Sequence, residues 1–260
     1  MSPSSNASDL AVLVTGGTRG VGRGIADRFR AAGARVLVCG RTAPADLPAG
    51  VAFAKADVRE PDQAAGVVAE AVARLGRLDV AVNNAGGSPV VDAAAASANL
   101  ATSVVRLNLL APFFVAQAAY RVMRGQPSGG LILNIGSVSA QRPAPGTALY
   151  AAAKAGLVAL TRALALEWAP EVRVNCVTVG LVSTPDTAHH YGGPDALARV
   201  ARTVPLRRMA VPADVGDACL LLASPLAGYI TGANLVLDGG GQLPAFLSLE
   251  PRAGSDGAAQ

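Results

Sequence analysis

Leu10-Ala11-Val12-Leu13-Val14-Thr15-Gly16-Gly17-Thr18-Arg19-Gly20-Val21-Gly22 is the stretch on which the fold turns. A short apolar run, Leu10 to Val14, ends at a glycine cluster, and a helical pattern from Arg23 to Ala32 follows, stopped by Gly33. Glycines at such a junction let the chain turn tightly and let backbone N–H groups approach a pyrophosphate, to which a helix N-terminus adds partial positive charge. The spacing is G-x-x-x-G-x-G rather than G-x-G-x-x-G. Strand, loop and helix in this order predict a nucleotide-binding unit.

Working outward, the same rhythm repeats. Arg35 to Cys39, Val51 to Ala56, Leu78 to Val82, Leu131 to Ile135, Val172 to Val179 and Leu235 to Leu237 read as further strands. Helical stretches run from Pro61 to about Leu75, from Leu100 to Met123 and from Thr147 to Trp168. Short apolar runs alternating with helices predict an α/β fold, a parallel sheet buried by helices on both faces. Ser183 to Val211 breaks the rhythm and is expected to be a substrate lid at the carboxyl edge of the sheet, where ligands bind. The expected organisation is a polar lead over 1–9, one dinucleotide-binding domain over 10–245 that includes the lid, and a disordered tail over 246–260.

Composition narrows the function classes. Of 260 residues 51% are hydrophobic and 15% charged, which supplies a sizeable core and argues against global disorder. Aromatics make up only 4%, so Ala, Val and Leu must fill that core. The net charge of +4 comes from scattered arginines with no basic block, so no nucleic-acid face is indicated. Cys39, Cys176 and Cys219 are far apart in apolar stretches, offering neither a disulfide framework nor a zinc spacing. Met1 to Asp9 lacks the basic head and apolar run of a signal peptide. No uncharged apolar stretch reaches the ~18 residues of a membrane span. A cytoplasmic setting without membrane contact is expected.

Tyr150 and Lys154 stand at i and i+4 of one helix face. A phenol titrates near pH 10, too high for efficient proton exchange at neutral pH. A cation one turn away is expected to lower that value. Ser137 follows the fifth strand, where a hydroxyl is placed to hold a substrate oxygen while the phenol gives or takes its proton. The second strand ends in Cys39-Gly40-Arg41-Thr42 without a carboxylate for a free ribose 2′-hydroxyl. Arg41 with Arg19 could grip a 2′-phosphate, so NADP(H) is expected over NAD(H).

In these motifs the chain resembles the compact, single-domain branch of the short-chain dehydrogenase/reductase family, and within it 3-oxoacyl reductases. The match rests on Thr15-Gly16…Gly20-Val21-Gly22, Asn83-Asn84-Ala85-Gly86, Ser137, and Tyr150…Lys154 thirteen residues later, and spans residues 10 to 242. The resemblance implies a Rossmann-type, doubly wound seven-stranded parallel sheet. It implies Tyr150 as general acid/base, Ser137 orienting the carbonyl, Lys154 on the nicotinamide ribose, and Asn108 supporting a water-linked proton relay. Implied cofactor contacts are Gly16, Thr18, Arg19, Gly20, Val21, Gly22, Asp57 near the adenine, Val58, Asn83, Ala85, Gly86, Val182 and Thr184, with Tyr150 and Lys154 shared. A homo-oligomer, tetramer or dimer, built partly through the long helices is implied as well.

One position departs from the family: Val179-Gly180 stands where Pro-Gly is usual, so the lid hinge is expected to sit differently. A non-catalytic dinucleotide sensor is the competing reading, with an intact Ser137, Tyr150 and Lys154 against it. An isomerase or dehydratase would want a longer chain. Adjacent His189 and His190 lack partners at metal-ligand spacing and are assigned to lid or solvent. Arg142, Tyr191 and Trp168 are assigned to packing or surface. Val90, Val91, Leu181 and Val182 suggest an apolar pocket for a hydrophobic ketone such as a 3-oxoacyl thioester or ketosteroid.

Overall fold

The structure, a computed structural model, describes residues 9–142, 144–185 and 193–242. In chain order the elements are β1 (Ala11–Thr15), α1 (Gly20–Ala31), β2 (Arg35–Gly40), β3 (Val51–Lys55), α2 (Pro61–Leu75), β4 (Val80–Asn83), α3 (Ala98–Val105), α4 (Ala111–Met123), β5 (Gly130–Ser137), α5 (Ala148–Trp168), β6 (Val172–Val179), α6 (Pro194–Thr203), α7 (Pro212–Ala223) and β7 (Asn234–Leu237). The seven strands form one parallel sheet in the order β3-β2-β1-β4-β5-β6-β7. The order reverses between β1 and β4, which opens a crevice at their carboxyl ends.

Strand residues alternate between two apolar cores. Leu13, Leu37, Ala81 and Ile132 meet α2, α4 and α5 through Val67, Ala71, Val115, Met123 and Leu164. Val12, Val38, Val82 and Leu133 meet α1 and α7 through Ile25, Phe29, Val215 and Leu222. Because side chains alternate with period two and both faces are covered, each strand reads as a continuous apolar run.

One expectation needs correcting. The helix read over 100–123 is α3 and α4 joined by a π turn, Arg106–Leu110. Pro112 has no N–H to offer the carbonyl of Asn108 four residues back. The ladder slips instead, and Ala111 N–H donates to Arg106 O five residues back. Val179, where the family usually has proline, ends β6 in register with Ser137 and Leu237, and Gly180 N–H continues the ladder onto Leu237 O at 2.9 Å.

Ala98–Met123 and Ala148–Trp168 have mean hydropathies of 1.3 and 1.4, long and apolar enough by length and composition to cross a membrane. A few charged residues interrupt both, which the reading by uncharged stretches passed over. Met123, Leu157, Leu164 and Trp168 turn into the sheet core. The lead before Asp9, the tail over 246–260, and His189, His190 and Tyr191 lie outside the described residues.

Candidate active site

The crevice between β1 and β4 is a cleft of about 990 Å³. Its floor is the first glycine loop. Gly16 has φ +61°, and a Cβ there would stand 3.0 Å from Ala85 Cα. A Cβ on Gly22 would stand 2.3 Å from both Asn84 Nδ2 and Gly16 O. Only glycine permits this conformation and this approach. Helix α1 starts at Gly20, three residues earlier than its apolar pattern, and no side chain caps its first turn. That leaves backbone N–H groups of the first turn for an anion. A glycine cradle, an uncapped helix start and a β2 end without a carboxylate together fit a dinucleotide.

The predicted contacts Gly16, Thr18, Arg19, Gly20, Val21, Gly22, Arg41, Asp57, Val58, Ala85, Gly86, Val182 and Thr184 all line the cleft. Asn83 does not. Its Nδ2 donates to Asn134 Oδ1 at 2.9 Å and to Pro112 O at 3.1 Å, while its Oδ1 is buried with no partner. Asn84 takes that place on the wall, its Nδ2 donating to Thr15 O at 2.9 Å and Gly16 O at 3.2 Å. The Thr15 hydroxyl accepts from the N–H groups of Asn84 and Ala85 at 3.0 and 3.1 Å, which fixes the two strand ends beside each other. Sequence reading missed Arg59 and Leu107 as wall residues, while Leu181, read as part of an apolar pocket, also lines the cleft. Asp57 is gripped by Arg59, whose Nε donates to Oδ1 at 2.9 Å and Nη2 to Oδ2 at 2.5 Å. That bond holds the Asp57 carboxyl below its ordinary range.

Ser137, Tyr150 and Lys154 come together at the inner end of the cleft. Ser137 ends β5, with its hydroxyl beside the Tyr150 phenol, which stands on the first turn of α5. Lys154 is buried, 3% exposed, and its Nζ donates to Ile135 O at 2.8 Å. Gly86 connects this group to the cleft: a Cβ there would lie 2.9 Å from Asn108 Oδ1 and 3.3 Å from Lys154 Nζ. Asn108, fully buried in the π turn, donates from Nδ2 to Gly87 O at 2.9 Å and accepts from Gly87 N–H at 3.0 Å. A third bond runs from Nδ2 to Val104 O at 2.9 Å. Its side chain therefore tethers the loop beside the cleft.

The electrostatics correct one expectation. Burial raises the Tyr150 phenol above its ordinary value, and the neighbouring Ser137 hydroxyl only partly offsets this. Lys154 Nζ is 5.7 Å from the Tyr150 ring centroid and donates to Ile135 O rather than to the phenol, so burial sets the direction of the shift. Burial also lowers Lys154 to about 8. The three cysteines are buried and unpaired, with the Cys39 and Cys219 thiols pushed up to about 12. Among the described residues no three His, Cys, Asp or Glu side chains cluster as a metal site.

Around the substrate side, Val91 N–H donates to Gly146 O at 3.0 Å, so the loops after β4 and β5 pack on each other. The expected lid is pinned at its ends by a parallel bridge between Val182 and Ala210, with Ser183 N–H donating to Ala210 O at 2.8 Å. Arg142, assigned to surface, pairs with Asp238 at 3.3 Å and ties the loop after β5 to the segment after β7.

The comparisons with known proteins agree with this geometry. Residues 16–242 match the family described as Enoyl-(Acyl carrier protein) reductase. The chain is 37% identical over 242 residues to the 3-oxoacyl-(acyl-carrier-protein) reductase of Chlamydia muridarum, covering 88% of this chain and 96% of that protein. It is 34% identical over 247 residues to the peroxisomal 2,4-dienoyl-CoA reductase of Pongo abelii, covering 90% and 84%. Among solved structures, the short-chain dehydrogenase/reductase (glucose/ribitol dehydrogenase) of Brucella melitensis superposes with a TM-score of 0.82 at 29% identity, covering 91% and 98%.

Proposed function

Because the chain belongs to the short-chain dehydrogenase/reductase family of oxidoreductases, we propose that it interconverts a ketone and a secondary alcohol with NADP(H) in preference to NAD(H). The observation that carries this reading is a buried Lys154 behind Gly86, one helical turn from Tyr150 and beside Ser137, at the inner end of a glycine-floored cleft. When bound there, the nicotinamide supplies or accepts the hydride. Ser137 holds the carbonyl oxygen, and Tyr150, kept protonated by burial, gives its proton to that oxygen during reduction. Lys154 stays charged at neutral pH, below its value of about 8, and holds the ribose hydroxyls. Gly16 to Gly22 hold the pyrophosphate, and Arg19 and Arg41 the 2′-phosphate.

The substrate is a hydrophobic ketone, with a 3-oxoacyl thioester favoured over a ketosteroid by the named relatives. The apolar Leu181 and Val182 on the wall suit such a chain. A homo-oligomer is favoured by apolar side chains turned to solvent on α5 and beside β7, with Leu166 85% and Leu226 83% exposed. The unpaired thiols suit a reducing, cytoplasmic setting.

The test is NADPH and NADH oxidation by wild type, Tyr150→Phe and Arg41→Ala over 3-oxoacyl thioesters, ketosteroids and 2,4-dienoyl thioesters. We expect turnover of a ketone, its loss in Tyr150→Phe with dinucleotide binding retained, and a fall of at least about tenfold in the NADPH:NADH preference for Arg41→Ala. Turnover of the dienoyl thioester alone would overturn the carbonyl assignment, and an unchanged cofactor ratio would overturn that of Arg41.

A further inference from the structure

Arg106 opens the π turn, and the two residues after it are the cleft wall Leu107 and the loop tether Asn108. Its own side chain leaves the helix and reaches the start of α2. Nε donates to Arg59 O at 3.0 Å, and Nη2 donates to Glu60 Oε2 at 2.9 Å. Arg59 is held in turn by Asp57, and Asp57 N–H donates to Gln63 Oε1 at 2.8 Å. Asp57 and Arg59 wall the outer end of the cleft, while Asn108 holds Gly87 beside Gly86 and Lys154 at the inner end. An unbroken series of hydrogen bonds and one helical turn therefore joins the two ends of the cleft, and Arg106 is its middle member.

From this juxtaposition we infer that Arg106 is a positioning residue that fixes the spacing between the adenosine end of the cleft and the inner loop that faces the reacting group. The inference rests on the dinucleotide reading above. An ion pair as exposed as Arg106–Glu60, with side chains 41% and 46% exposed, does little for stability by itself. The bond to the Arg59 carbonyl is what ties Arg106 to the backbone that carries the outer wall. A ligand spanning both ends needs that spacing held; one that fills only the outer end does not.

The experiment compares wild type, Arg106→Ala, Arg106→Lys and Glu60→Gln. Calorimetry measures the Kd of whichever of NAD+ and NADP+ the wild type binds more tightly, and of the matching adenosine fragment (ADP or 2′-phospho-ADP), which lacks both the nicotinamide and its ribose. Steady-state kinetics and thermal melts are run alongside. For Arg106→Ala we expect the dinucleotide Kd to rise and kcat to fall, each about tenfold, with the Kd of the adenosine fragment within about twofold of wild type. Arg106→Lys, which keeps the charge but reaches fewer acceptors, should fall between. Glu60→Gln, which keeps an acceptor, should stay near wild type. If Arg106→Ala does not fold, the lysine variant decides on the same criteria. An equal loss of affinity for both ligands would confine Arg106 to the adenosine pocket and overturn the inference. A lowered melting temperature with unchanged affinity and kcat would make it a structural tie and overturn it too. Wild type that binds neither dinucleotide would overturn the dinucleotide reading itself, a failure separable because it is seen before any substitution.

Discussion

Lys154 carries an ammonium into a place that water does not reach, and the site answers with one carbonyl, Ile135 O. Burial brings its pKa from the ordinary 10.5 to about 8. Below pH 8 the group is charged in both folded and unfolded chains. Between about pH 8 and 10.5 the unfolded chain keeps a proton that the folded chain has released, so folding stability rises with pH across that window. Urea melts of wild type and Lys154→Met at pH 8 and pH 10 should therefore diverge in favour of wild type, by about 2 kcal/mol. A pH-independent difference would show that the ammonium is not buried. The i, i+4 spacing of Tyr150 and Lys154 is written in the sequence, because helix geometry fixes it. Which acceptor the ammonium finds depends on how close β5 approaches, and no local pattern carries that distance.

Among the elements, the π turn does most to arrange the site. Pro112 denies a donor to the Asn108 carbonyl, and the slipped ladder places Asn108 against Gly87. Pro112→Ala returns the N–H. We expect the turn to relax toward a regular helix, the melting temperature to hold or rise, and turnover to fall about tenfold or more as Asn108 leaves Gly87. Retained turnover with unchanged hydrogen exchange over residues 104–112 would show that something other than the proline sets the turn. The proline was visible in the sequence, but the long apolar periodicity around it outweighed the signal and gave one helix. The ends of α2 and β6 were legible because Pro61 and the run from Val172 to Val179 mark them directly. Strand parity also explains why Asn84 and not Asn83 faces the cleft: Asn83 shares the sheet face of Ala81, toward α4 and Asn134. Motif matching chose Asn83, whereas alternation along β4 separates the two neighbours. The Asp57–Arg59 grip could not be read, since it depends on a turn conformation two residues long.

At the scale of the molecule, the cofactor half and the substrate half are welded by small residues. A Cβ on Gly24 of α1 would meet Pro212 Cβ at 2.3 Å, and one on Gly216 of α7 would meet Arg28 Cγ at 2.6 Å. Helix α7 begins directly after the return leg of the expected lid, and Arg28 pairs with Asp217 across the same contact. Gly24→Ala should therefore push two helices apart and cost about 1–3 kcal/mol. Scanning calorimetry should show one transition lowered by about 3–10 °C. Two separate transitions would mean that the halves fold independently.

The bridge between Val182 and Ala210 has a further consequence. The two feet of the intervening segment stand side by side, so lengthening the chain between them costs only with the logarithm of its length. An insertion clear of the buried Val204 and Met209 should therefore leave β6 and α7 on either side in their places.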